Sequence, residues 1–168
     1  MPKYKPSLRM IQRIQSVLLA GVVILLTINL FVPVWSISQS ETTIVLDAFS
    51  IKSGVAAPDE TPLPVVKSSM YIGGLIIVCI VLAIFVIFQY NNRTLQIRLC
   101  SLLTLFTLGI IGTYFIAIPT AKSLLATPAN GNYGIGYFLP IVASVLTVAA
   151  RYFIRKDDNL VKSVDRLR

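Results

Sequence analysis

Histidine is absent from this chain, and cysteine occurs only twice in 168 residues. Without imidazole there is no histidine ligand for haem, no use of the commonest metal ligand, and no histidine acid–base chemistry near neutral pH. The two thiols, Cys79 and Cys100, form no Cys-x-x-Cys pair, so thiol redox work has no motif either. Both are read as reduced structural thiols. Charge is scarce as well. Only 13% of residues are Asp, Glu, Lys or Arg, against roughly 25% in soluble domains. None of these falls within residues 14–40, 68–92, 99–121 or 123–150. Stretches of that length cannot form the exposed surface of a soluble domain. The absence of any carboxylate inside them argues against ion-coupled transport and proton pumping, which usually keep an intramembrane acid or base.

What remains is apolar. Hydrophobic residues make up 55% of the chain and the mean hydropathy is +0.78. The most apolar portions are Ile14–Trp35, Tyr71–Tyr90, Leu99–Ile118 and Ile135–Ile154. Each approaches the ~20 residues that a membrane-spanning helix needs. A transmembrane barrel would alternate apolar with polar residues, and Val22–Leu26 and Leu75–Val78 do not. The first run is longer than a signal-peptide core, so it is expected to stay as a span. Met10 is a second candidate start; losing Met1–Arg9 would remove three positive charges and leave the orientation unchanged.

The charges between the spans assign the sides. Lys3, Lys5, Arg9, Arg13, Arg93, Arg98, Arg151, Arg155, Lys156, Lys162, Arg166 and Arg168 fall on one side. Lys52, Lys67 and Lys122 fall on the other. The positive-inside rule makes the first side cytoplasmic and places both termini there. With the acids included, the net charge is +9 inside and −1 outside, consistent with +8 overall. Aromatic residues suited to the headgroup level agree: Trp35, Tyr71 and Tyr137 at the outer boundary, Tyr90 and Tyr152 at the inner one. The basic balance is therefore topological, and no nucleic-acid motif accompanies it.

The expected architecture is an all-α membrane protein in a single domain. It has four transmembrane helices, a short β-prone outer loop and an amphipathic C-terminal tail. Outer residues 36–68 include the β-prone Thr42–Ile51, read as a short hairpin or a strand against the membrane surface; Pro58, Pro62 and Pro64 make the second half an extended linker. Outer residues 119–134 are rich in turn formers. The inner turn 91–98 is short, so the second and third spans are antiparallel neighbours. Pro140 is expected to kink the fourth helix, with Ser144 or a neighbouring helix covering the freed carbonyl. Small residues such as Gly73, Cys79, Ala83, Gly109, Ala143 and Ala150 suit close helix contact. A self-contained bundle explains them as well as a dimer face does.

Polar span residues such as Asn29, Thr104, Thr107, Ser144 and Thr147 are read as packing hydrogen-bond partners. Lining a pore is the sharper alternative. The C-terminal tail is the most patterned polar segment. Leu160, Val161, Val164 and Leu167 share one helical face, and Asp158 precedes Lys162 by the favourable four residues. The fourth helix is thus expected to continue, or restart, as an amphipathic helix with an apolar stripe that needs a cover.

The segments Met10–Gln15, Leu95–Cys100 and Lys156–Arg168 together resemble a small bacterial membrane family known as domain of unknown function 4293. The resemblance runs from Met10 through nearly the whole chain, which carries a nine-residue extension before it. It implies a four-span inner-membrane protein and supplies no activity or catalytic residue.

The functional expectation is a non-enzymatic accessory or scaffold protein that requires no cofactor or metal. Its cytoplasmic face would dock a cytoplasmic or membrane protein, with membrane lipid as the other partner. The candidate contact residues are Gln12, Arg13 and Gln15 before the first span, Gln96 and Arg98 at the inner turn, and Asp158, Lys162, Asp165 and Arg166 in the tail, which is expected to fold back beneath the bundle. The alternative is a small passive transporter or lipid-handling protein with a cavity lined by Asn29, Thr104, Thr107 and Ser144.

Overall fold

The computed structural model describes the backbone of residues 7–39, 42–55, 63–89, 92–124 and 131–165, with side chains described over 14–38, 42–54, 63–89, 92–124 and 131–159. Four helices form the body: α1 (Ser7–Asn29), α2 (Met70–Phe88), α3 (Arg93–Lys122) and α4 (Ile135–Asp165). Each packs beside its sequence neighbour, and α4 closes the ring against α1. By length and composition, Met70–Phe88, Arg93–Lys122 and Ile135–Asn159 are long and apolar enough to cross a membrane. Ile14–Asn29 is a shorter apolar stretch of α1.

The expectation of an all-α protein is corrected. A five-stranded antiparallel sheet caps one end of the bundle, in the order β4-β3-β2-β1-β5. Its strands are β1 (Trp35–Gln39), β2 (Thr42–Leu46), β3 (Ser50–Val55), β4 (Val65–Ser68) and β5 (Asn132–Tyr133). The β-branched run of β2 favours a strand, and alternation turns Ile44 and Leu46 inward. Across the strands Trp35 faces Leu46, which faces Ile51, all three buried. These residues join the buried residues of the helices in one apolar core. A sheet of this size has too few apolar residues to make a core alone, and the bundle end supplies the other half.

The first helix ends earlier than hydropathy suggests. Leu30 and Phe31 donate to Thr27 and Ile28 in a tightening last turn, at 3.2 and 3.0 Å. Pro33 then stops the helix. Trp35 is consequently the first residue of β1 and fully buried in the core, not a boundary ring at the end of a span.

Backbone hydrogen bonds fasten the sheet to the helices. Gly73 N–H, in the first turn of α2, donates to the Ala48 carbonyl at 2.8 Å, while Ser69 Oγ donates to the Asp47 carbonyl at 3.2 Å. Gly134 N–H donates to the Val34 carbonyl at 2.9 Å, which brings the start of α4 flush against the exit of α1.

Inside the bundle, polar side chains are mostly spent on their own helices. Thr104, Thr107, Ser144 and Thr147 donate to the carbonyls of Cys100, Thr104, Ile141 and Ala143. Asn29 Nδ2 reaches between helices to the Tyr114 hydroxyl at 2.9 Å. Pro140 lies buried within an α4 that continues through it, and Ser144 serves Ile141. Cys79 and Cys100 are free and buried.

A Cβ at Gly134 would strike the Pro33 carbonyl oxygen, whereas one at Gly112 meets nothing within 4 Å. Gly134→Ala should therefore destabilise the fold by about 1–3 kcal/mol. Gly112→Ala should be neutral or gain up to about 1 kcal/mol by removing a mid-helix glycine. Thermal unfolding of the two variants in one detergent measures the difference in sign.

Candidate functional site

The end of the bundle away from the sheet holds the described candidate contact residues, and its geometry is set by a single buried acid. The inward face of α4 runs through Ala143, Thr147, Ala150 and Ile154 at helical spacing, all buried. The next position on that face is Asp157, whose side chain is only 2% exposed. A carboxylate in such a place needs a counter-charge. Arg93 provides it from the first turn of α3: its Nη1 lies 2.9 Å from Asp157 Oδ2 and also donates to the Asp157 carbonyl at 3.3 Å. The far end of α4 is thereby pinned to the start of α3.

One turn after Arg93, Gln96 is also turned inward. Its Nε2 donates to the Val86 carbonyl at 3.2 Å, a second donor beside the Gln89 N–H that closes the end of α2 on the same oxygen at 3.2 Å. Asn92 caps α3 by accepting from Leu95 N–H at 3.4 Å. The α2–α3 turn is thus held from both sides. Gln15 on α1 is likewise buried, and its Nε2 and the second oxygen of Asp157 find no partner among the described residues.

These positions sort the candidate contact residues. Gln15 and Gln96 are buried, and Gln96 fastens the α2–α3 turn. Arg98 is exposed on α3. Asp158 is partly buried and engaged within the chain. Gln12, Arg13, Lys162 and Asp165 lie on helical backbone, but their side chains fall outside the described residues, as does Arg166 entirely. The tail does not fold back over its described length: α4 is one helix of 31 residues through Asp165. Its contact with the inner turn comes from the Arg93–Asp157 pair. Sequence reasoning missed both members of this pair. The available signal was the spacing Ala150, Ile154, Asp157, which carries the apolar face of α4 onto an acid.

The remaining charges make a basic rim. Arg155 and Lys156 are exposed beside Asp157, Arg98 is exposed on α3, and Arg151 is half-buried close to Cys100. This arrangement can attract and hold acidic groups. Among the described residues, no cluster of three or more His, Cys, Asp or Glu side chains could hold a metal ion.

Removing one partner of a buried ion pair leaves the other charge stranded, typically at a cost of 3–5 kcal/mol. Arg93 is a quarter exposed, so Arg93→Met should lose about 3 kcal/mol, at the lower end of that range. The double variant Arg93→Met/Asp157→Leu should recover most of the loss, because no charge is then buried alone. Arg98→Met should stay within about 0.5 kcal/mol of the parent. Thermal unfolding of the four proteins forms the comparison.

Comparison with curated proteins gives no match. The profile of one protein family matches residues 11–167, nearly the whole chain and all four helices beyond the first turn of α1. The chain therefore belongs to the family described as Domain of unknown function (DUF4293).

Proposed function

We propose that this chain is a four-span protein of the bacterial inner membrane, with its sheet on the outer face and both termini in the cytoplasm. In this reading it acts as a non-enzymatic accessory or scaffold protein, and a cytoplasmic or membrane partner docks on the projecting end of α4. The observation that carries the reading is the uninterrupted length of α4. Its 31 residues extend ~46 Å at 1.5 Å per residue, whereas the hydrocarbon core is ~30 Å thick. The surplus emerges at the end that carries Arg93, Arg98, Arg151, Arg155 and Lys156. It emerges as a rod whose base is fixed by the Arg93–Asp157 pair. The apolar positions 160, 161 and 164 share one face of this rod and suit a helix-in-groove contact.

The charge distribution over the folded chain supports the orientation. Lys52, Lys67 and Lys122 lie with the sheet at the opposite end of the bundle, which gives the sidedness that the positive-inside rule uses. The alternative of a passive transporter or lipid-handling protein has less support, because the hydroxyls of Thr104, Thr107 and Ser144 are committed to their own helices.

Reporter fusions after Lys52 and after Arg168 should report opposite sides of the membrane; signals from the same side would sink the orientation. Truncation after Asp158 leaves the Arg93–Asp157 pair intact and removes the rod. The truncated protein should keep its unfolding temperature within a few degrees and lose a protein that co-purifies with the full chain. Retention of every co-purifying protein would end the docking reading.

A further inference from the structure

At the sheet end, the last turns of α3, β5 and the start of α4 line a cleft of about 150 Å³. Aromatic rings wall it: Tyr114 and Phe115 from α3, Tyr133 from β5 and Tyr137 from α4. Tyr137 lies 5.9 Å from Tyr114 and 4.7 Å from Tyr133, centroid to centroid, with the planes tilted by 31° and 52°, so the three rings touch in a continuous row. Lys122 is the single charged residue in the lining. Its ammonium stands 6.0 Å from the Trp35 ring centroid, at the limit of a cation–π contact, and that ring is fully buried in the core. Trp35 therefore gives the cation a fixed neighbour.

No described acid neutralises Lys122. On this side of the molecule Asp47 is the one acid among the described residues, and Lys52 holds it at 2.6 Å. The first turn of α4, which carries Tyr137, holds no acidic residue either. The cleft is thus concave and cationic, and Tyr133 and Tyr137 in its lining carry hydroxyls able to donate. At about 150 Å³ it is smaller than the ~300 Å³ and upward of whole-ligand pockets. It has room for a headgroup and not for acyl chains. Those have a place of their own, since Phe115 and Ile116 leave an exposed apolar flank on α3 next to the opening.

We propose that this cleft binds the headgroup of an anionic phospholipid, with the phosphate against Lys122, the headgroup glycerol among the tyrosines and the acyl chains along Phe115 and Ile116. The proposal rests on the membrane placement given above. A zwitterionic lipid such as phosphatidylcholine would bring a second cation towards Lys122 and is disfavoured by the same charge.

The test is native mass spectrometry of the full chain in detergent mixed with phosphatidylglycerol and phosphatidylcholine in equal amounts. The parent protein should retain one phosphatidylglycerol in preference to phosphatidylcholine. Lys122→Gln should weaken that preference about fivefold, the effect of one basic side chain close to anionic lipid. Lys122→Arg should keep it, as should Lys67→Gln, which alters an exposed lysine on β4. Equal loss in Lys67→Gln, or no loss in Lys122→Gln, overturns the proposal. So does displacement of the lipid by millimolar inorganic phosphate, which would make the cleft a free-phosphate site. The readout does not depend on orientation or on a protein partner, so failure of the topology or docking tests is distinguishable from failure here.

Discussion

A sheet this small can bury one face only against something else, and that constraint organises the whole molecule. Trp35, Ile37, Ile44, Leu46 and Ile51 point from the sheet into the end of the helix ring and complete a single core with it. Once the sheet is seated, the remaining geometry follows. The exit of α1 must turn at Pro33, α2 must present its Gly73 amide to the Ala48 carbonyl, and α4 must follow a glycine, Gly134, where it meets the Pro33 backbone. At the opposite end, among the described residues, the Arg93–Asp157 pair and Gln96 tie the helices together, and α4 continues past them to Asp165.

This asymmetry also divides the chemistry. The sheet end presents a small aromatic recess with a lone cation. The other end presents exposed Arg98, Arg155 and Lys156 around a buried acid. Many of the described polar groups are spent on the protein's own architecture. Asn29 serves Tyr114, Gln96 serves Val86, and the span hydroxyls serve the turn behind them.

Much of the helical framework was legible in the sequence, because charge-free runs of apolar residues have few other solutions. The sheet was legible only in part. Thr42–Ile51 announces strands through its β-branched residues, whereas β4 is fully exposed and β5 is two residues drawn from a turn-rich loop. Their strand character comes from partners distant in sequence, which no local pattern reports. Trp35 misled for a related reason: an indole after an apolar run suits a membrane boundary, and its burial depends on β2 and β5. At the candidate site, polarity near charged segments suggested that Gln15 and Gln96 were exposed. Whether such a side chain faces out is settled by which helices close around it. The Arg93–Asp157 pair spans 64 positions and needed the folded ring to bring it together.

The pairing of β1 with β5 imposes an order of assembly. Trp35 and Ser36 can meet Tyr133 and Asn132 only after α2 and α3 have been made. Until then β1 is an open edge, and Trp35 lacks one of its cross-strand neighbours. Such long-range closure is the slow kind, and an unpaired strand edge invites the wrong partner while it waits. The two residues of β5 are therefore a late fastening: the sheet can be completed only after the chain has passed through α2 and α3.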